Sequence, residues 1–342
     1  MKKSIVFVIN PISGTSSKHD IPQLVEEVID REKFDYEFRT TEYAGHATII
    51  AEEARNQGID IVVAIGGDGT VNEVARAIVH SKTALGIIPC GSGNGLARHL
   101  LLPLQLKKSL MIINKCVIEE LDYGLINGYP FFCTCGMGFD AFVSKKFADA
   151  GKRGPITYAE NILKEGLSYE PETYEITDET GTQRYQAFLI SCANASQYGN
   201  NAYIAPQASM SDGLIDVIIM EPFDIVEAPQ ISIDMFNKTL DKNSRIKSFR
   251  CKELYIHRKN EGLIHYDGDP VTTGKDIHVK LEEKGIKIIV NPDADRTERQ
   301  PNAFQTAAAA LFHELFNMRE EFKEKSMQIQ ALGKVLQKKL KL

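Results

Sequence analysis

The run Ile61-Val-Val-Ala-Ile65 closes directly into Gly66-Gly-Asp-Gly-Thr70 and then into the helical pattern Val71–Val79. An unbroken β-branched run of this kind fits a strand covered on both faces, the environment found inside a parallel sheet. Parallel strands need crossover connections, and the neighbouring sequence supplies them. Ile5–Ile9, Tyr36–Thr40, Ile61–Ile65 and Leu85–Ile88 read as strands. Ile21–Ile29, His46–Asn56, Val71–Val79 and a stretch from about Gly93 read as the helices that follow them. The first third of the chain is therefore expected to be α/β, a doubly wound parallel sheet.

Such sheets bind ligands at the carboxyl ends of their strands. Three of those ends carry turns rich in small residues: Asn10-Pro-Ile-Ser-Gly14, Gly66-Gly-Asp-Gly-Thr70 and Gly91-Ser-Gly-Asn-Gly95. They are expected to converge. Gly66, Gly67 and Gly69 lack the side chains that would keep a backbone from a phosphate, and the next helix aims free N–H groups at the same spot. Asp68 adds a negative charge there, which makes sense beside a phosphate only with a cation between them. The combination points to a nucleotide and magnesium. A tight strand–helix turn is the alternative use of those glycines, and Thr70 with Glu73 also fits a T-x-x-E capping box. Ser92 offers a hydroxyl to a phosphate.

After Asp122 the texture changes. Phe131–Cys135, Tyr174–Thr177, Arg184–Cys192, Leu214–Met220, Glu253–His257 and Lys287–Val290 read as strands, several joined by short turns such as Asp178-Glu-Thr-Gly181. Helical patterns interrupt them near Phe142–Leu167 and Ile225–Leu240. The expected division is a nucleotide-binding domain over 1–122, a β-rich, sandwich-like domain over 123–293 and a C-terminal helical extension over 294–342. In that extension Phe304, Ala308, Leu311, Leu315, Met318 and Phe322, then Ile329, Leu332 and Leu336, form a heptad seam of about five repeats. The seam suits packing or a homodimer, and the basic, apolar end Lys334–Leu342 could instead lie on a bilayer.

The net charge of -6 argues against nucleic acid as a partner. The six cysteines, Cys90, Cys116, Cys133, Cys135, Cys192 and Cys251, include no C-x-x-C pair and read as small core residues of a reducing compartment. No stretch has the length of a membrane span, and the basic start is too short for a signal peptide. A cytoplasmic protein is expected, with peripheral contact at the inner face of the membrane.

The order Asn10-Pro-Ile-Ser-Gly14, Thr41-Glu-Tyr-Ala-Gly-His-Ala47, Gly66-Gly-Asp-Gly-Thr-Val-Asn-Glu-Val74 and Ile88-Pro-Cys-Gly-Ser-Gly-Asn-Gly-Leu-Ala97 resembles the diacylglycerol kinase and sphingosine kinase superfamily. The soluble bacterial lipid kinases are most similar. The resemblance continues through Gly138-Phe-Asp-Ala141, Pro206-Gln-Ala-Ser-Met-Ser-Asp-Gly-Leu-Ile-Asp216 and Asp267-Gly-Asp269, covering about residues 4–292. It implies an ATP- and magnesium-dependent kinase acting on a hydroxyl of a long-chain lipid, either a diacylglycerol or a sphingoid base. Carried over by position, Asn10, Pro11, Ile12, Ser13, Gly14, Thr41, Gly66, Gly67, Asp68, Gly69, Thr70, Val71, Asn72, Glu73 and Ser92 would contact ATP. Asp267 would be the general base and Asp68 would act beside it at the magnesium. Asp269 stands where the family usually has Glu and is grouped with the nucleotide residues. Asp122 is a further magnesium candidate. Ser209, Asp212 and Leu214 match a second-domain magnesium site. Gly95 departs from the Asp that glycerolipid kinases often carry there and leans toward the sphingosine branch.

Other uses of the same residues compete. Asp267-Gly268 alone would read as a type I′ hairpin turn. Gly-Gly-Asp-Gly also occurs in NAD kinases and phosphofructokinases, and a catalytically silent lipid-binding scaffold is a third possibility. His46 flanks its helix near the nucleotide. Lys145, Lys146, Lys152 and Arg153 form a basic cluster that suits a solvated face or anionic headgroups.

Overall fold

The computed structural model describes residues 2–13, 20–150 and 169–294. Gly14, Lys152, Arg153, the helical pattern beyond Ala150 and the heptad seam lie outside the described residues.

Strands β1 (Lys3–Ile9), β2 (Phe34–Thr40), β3 (Ile61–Gly66) and β4 (Ala84–Pro89) form a parallel sheet in the order β2-β1-β3-β4. Helices α1 (Ile21–Val28), α2 (His46–Asn56) and α3 (Asp68–Ile78) connect them, and α4 (Gly95–His99) and α5 (Leu106–Lys115) follow β4. Every residue of β3 and β4 is buried, as the apolar run predicts for central strands of a doubly covered sheet. The one clear departure is the start of α3. It begins at Asp68, not Val71, so the glycine turn is itself the first helical turn, with Gly67 extended at its cap. A carboxylate in the first turn complements the helix dipole.

The second half adds β5 (Ile118–Ile126), β6 (Tyr129–Phe131), β7 (Thr134–Gly138), α6 (Phe139–Ala150), β8 (Glu172–Asp178), β9 (Gly181–Ala187), β10 (Leu189–Ala193), β11 (Ile215–Met220) and α7 (Ala228–Phe236). It then runs through β12 (Ile246–Cys251), β13 (Glu253–Arg258), β14 (Gly262–Tyr266), β15 (Asp269–Thr273) and β16 (Asp276–Ile289). One antiparallel sheet has the order β12-β11-β10-β7-β14-β15. Its inner face packs on β5, β8, β13 and β16 through Ile126, Met137, Tyr174, Ile190, Val217, Leu254, Ile264 and Val279, which makes a sandwich.

β16 crosses the boundary expected near residue 122. Its first half pairs with β13, while Ile288 lies parallel to Leu85 of β4 and Ile286–Ile289 pair with Leu121–Ile118. The parallel sheet therefore continues into the sandwich as one ten-stranded sheet. The expected strand Phe131–Cys135 is broken at Phe132 and Cys133, whose amides have other work, described next.

Candidate active site

The three small-residue turns converge, each by its own bond. Asn10 Nδ2 donates to Thr70 Oγ1 at 2.9 Å, tying the first loop to the first turn of α3. The second and third loops meet backbone to backbone, since a Cβ added at Gly91 would fall 2.6 Å from Gly67 Cα. The Asp68 carboxylate then accepts the amides of Asn94 at 2.8 Å and Gly95 at 2.6 Å. Burial raises the Asp68 carboxyl above its ordinary range, against the pull of those amides and of Arg98. The first-turn amides of α3 have no partner within the helix. A side chain at Gly69 would meet nothing within 4 Å, so this end of α3 faces open space. The surroundings suit a polyphosphate: a glycine-lined concavity, a helix N-terminus and one carboxylate with lone pairs left for a cation.

Individual positions differ in what they present. Pro11, Ile12 and Ser92 are exposed, while Thr41, Thr70, Val71 and Asn72 are buried. Val71 packs in the core, so its reach to a ligand is through its backbone. Glu73 caps a different helix from the one expected. Its carboxylate accepts the amides of Gly45 at 3.0 Å and Ala47 at 3.1 Å, holding the N-terminus of α2. Thr70 cannot be the N-cap of a capping box because α3 already starts at Asp68. Glu73→Ala is expected to lower stability by about 1.5–3 kcal/mol, the range for hydrogen bonds to a charged group, and the drop in Tm reads it. His46 opens α2, accepts the Glu42 amide on Nδ1 at 3.1 Å and stacks on Tyr43. Lys145 is exposed at the surface of α6.

Asp267 sits in the two-residue turn between β14 and β15, with φ of +52° at Asp267 and +87° at Gly268, as in a type I′ hairpin. The turn directs its carboxylate into the break between β6 and β7. Oδ2 accepts the Phe132 amide at 2.8 Å, and Oδ1 accepts those of Cys133 at 2.7 Å and Thr134 at 3.1 Å. Those bonds are why the expected strand is interrupted. Burial lifts the Asp267 carboxyl above the usual carboxylate range, against the Arg76 guanidinium and the three amides, which draw it down. Burial also pushes the Cys133 thiol up, and Asp267 and Asp68 both add to that effect.

Further contacts across the domains were not legible in the sequence. Gly199 lies so close to Gly93 that a Cβ on it would fall 3.0 Å from Gly93 Cα, and Asn200 donates its amide to Gly93 O at 3.0 Å. A Cβ at Gly95 would fall 3.1 Å from Tyr198 O, so a larger side chain has little space at this position. Arg98 Nη1 donates to Asn201 Oδ1 at 3.2 Å. Asp269 is held by Arg76 of α3, Nη1 to Oδ2 at 2.7 Å.

The remaining acidic positions are engaged by protein groups. Asp122 is buried, and its carboxylate accepts the amides of Gly213 at 3.0 Å and Lys284 at 2.7 Å. Asp212 pairs with Arg250 at 3.1 Å and accepts the Leu214 amide at 3.2 Å, while the Ser209 and Ser211 hydroxyls lie 3.2 Å apart. The structure thus brings Asp122 beside the Ser209–Leu214 loop and leaves Asp68 among the small-residue turns. Among the described residues no group of three or more His, Cys, Asp or Glu is arranged to hold a metal ion.

Residues 4–126 match the diacylglycerol kinase catalytic domain, and residues 133–290 match the YegS C-terminal NAD kinase beta sandwich-like domain. A Streptococcus pneumoniae relative whose name places it among lipid kinases is 26% identical over 302 residues, 86% of this chain and 100% of the relative. A relative from Escherichia fergusonii, named as a lipid kinase YegS, is 27% identical over 75% of this chain and 86% of its own length. A crystal structure of a diacylglycerol kinase from Bacillus anthracis superposes with a TM-score of 0.68 at 20% identity, covering 85% of this chain and 97% of that one. That likeness concerns the fold.

Proposed function

From the premise that this chain belongs to the lipid kinase family defined by the diacylglycerol kinase catalytic domain, we propose that it phosphorylates the hydroxyl of a long-chain lipid alcohol, with Asp267 as general base. The observation that carries this reading is the pairing of a glycine-lined cradle at the start of α3 with the hydrogen-bonded Asp267 carboxylate, whose hairpin is bonded to Arg76 of that same helix.

ATP would supply the γ-phosphoryl group, and a magnesium ion, when bound, would spread its charge. The chain's own part begins with the first-turn amides of α3 and the backbones of Gly67, Gly69 and Gly91, which hold phosphate oxygens. Asn10, Thr41 and Ser92 follow the carboxyl ends of β1, β2 and β4 and would add side-chain contacts. Asp68 fits a magnesium ion of the kind that takes one or two carboxylates and completes its shell with phosphate and water. The loop at Ser209, Asp212 and Leu214 suits such an ion less well, because a cation there competes with the Arg250–Asp212 ion pair. Asp122 is committed to two backbone amides.

At Asp267, Oδ1 already accepts two amides and Oδ2 only one. A carboxylate oxygen has two lone-pair positions, so Oδ2 keeps one for a substrate O–H. The acceptor proton passes to Oδ2 as the alcohol oxygen bonds to the γ-phosphorus and the bridging oxygen leaves with ADP. The amides fix the carboxylate in place, and burial keeps it basic enough to take a proton.

No described helix is long and apolar enough to cross a membrane. The lipid is proposed to reach Asp267 from a membrane surface or a carrier. The test is a radiolabelled ATP assay offering dioctanoylglycerol and sphingosine in mixed micelles, with NAD and fructose 6-phosphate in parallel. Label is expected in a lipid product. Label only in a soluble acceptor, or in none, overturns the reading.

A further inference from the structure

We propose that Arg76 is a positioning residue for phosphoryl transfer, one that pins the hairpin bearing Asp267 to the helix that opens on the phosphate loop. The proposal rests on the reading of Asp267 as the base. Arg76 lies near the end of α3, two helical turns beyond Asp68, and reaches out of the nucleotide domain. Its Nη1 donates to Asp269 Oδ2 at 2.7 Å and its Nη2 to Tyr266 O at 3.4 Å. Its Cζ stands 4.6 Å above the Tyr266 ring, which also stacks on Tyr129 at 4.8 Å. These contacts fall on the two strand residues that bracket the turn, Tyr266 and Asp269, so one guanidinium grips both sides of Asp267.

Any one of these contacts is modest. Asp269 is half exposed, and an ion pair in that setting is weak. Their convergence matters more, because the planar fork and the flat stack each fix orientation, which an ammonium group does not. Arg76 Nε is buried without a hydrogen-bond partner among the described residues, so the cation sits in a poorly hydrated place where its field on Asp267 is less screened. The titratable groups acting in the same place are Asp269 and His265 of the hairpin, Asp140 behind His265, and Cys133 and Cys135 beside the interrupted strand. Arg76 draws the Asp267 carboxyl down, against burial.

The test uses the full chain with ATP, magnesium and dioctanoylglycerol or sphingosine micelles, together with hydrogen exchange at the amides of Phe132, Cys133 and Thr134. Arg76→Gln is expected to lower kcat roughly ten- to a hundredfold with little change in KM for ATP, the scale of a misplaced catalytic group. Removing the positive charge raises the Asp267 pKa, so the acid limb of the rate moves to higher pH. The three amides exchange faster because the carboxylate that holds them is released. Arg76→Lys keeps the charge and restores the acid limb but recovers only part of kcat. Adding Asp269→Asn to Arg76→Gln brings little further loss. Unchanged exchange at those amides together with an unmoved acid limb overturns the proposal, as does full additivity of the two substitutions. If Arg76→Gln does not fold, Arg76→Lys and Asp269→Asn decide by the same two readouts. Asp267→Asn is run beside them: activity retained there removes the base reading, while the exchange data still decide whether Arg76 holds the hairpin.

Discussion

Asp267→Asn is expected to slow lipid phosphorylation by roughly 10²–10⁴-fold, the usual contribution of a positioned general base, while ATP affinity stays unchanged. The substitution is mild for the fold. Asn is among the residues that tolerate a left-handed turn, and its Oδ1 can still take the amides of Cys133 and Thr134. Its Nδ2, however, brings a donor against the Phe132 amide, which now donates to Oδ2 at 2.8 Å. A small fall in Tm is therefore expected beside a large fall in kcat. The pH dependence gives a second check. The base works only when ionised, and burial raises its pKa, so the acid limb of kcat should lie above the ordinary carboxylate range near 4. Asp267→Asn should abolish that limb. A variant with the parent rate, or a parent enzyme whose rate is flat through that range, would remove Asp267 from the chemistry.

Gly91→Ala carries the second large effect, and it acts through the cradle. The new methyl would fall 2.6 Å from Gly67 Cα, 3.0 Å from Asn94 Oδ1 and 3.5 Å from the Asp68 amide. Two of those three atoms are backbone, so no side chain can swing away, and the loops must separate. Overpacking of this kind costs about 1–3 kcal/mol. Separation also breaks the bonds from Asp68 to the amides of Asn94 and Gly95. ATP affinity is expected to fall at least tenfold, about 1.4 kcal/mol, with a clear drop in Tm. Gly69→Ala is the control, because a methyl there meets nothing in the protein. It should leave Tm unchanged and weaken ATP binding only through crowding of the ligand. Calorimetric titration with ATP and thermal melts of both variants separate the cases. Equal ATP affinity in Gly91→Ala and the parent would show that the third loop does not shape the phosphate site.

What the sequence made legible was local. A buried strand, a glycine turn and a helix fall within a dozen residues, and each announces the next through periodicity and turn chemistry. The partners it hid are distant in the chain. Nothing near Arg76 points to Asp269, and nothing near Gly93 points to Gly199. Glu73 shows how a small boundary error misdirects a role. Starting α3 at Val71 makes Thr70 and Glu73 a capping box, but starting it at Asp68 frees Glu73 to cap α2. The interrupted strand at Phe132 has the same origin, since its apolar residues suit a strand and only the distant Asp267 claims their amides. β5 and β12 went unread because adjacent polar pairs, Glu119-Glu120 and Lys247-Ser248, break the alternation and leave short apolar signals. The expected resemblance to lipid kinases did not depend on these details, because its motifs lie in the loops that the strand ends display.

The strand that joins the two halves of the ten-stranded sheet bears on how the chain is made. β4 emerges early in synthesis, yet its outer neighbour Ile288 is added about two hundred residues later. Until then β4 presents an open, fully apolar edge of the kind that templates unwanted pairing. The phosphate cradle is assembled at the carboxyl end of that same strand. The first half of the chain is thus encoded first, but β4 gains its outer neighbour only when the chain returns from the sandwich in β16. On the proposed reading, a nascent chain finishes its ATP site only after the residues that govern its use have been made.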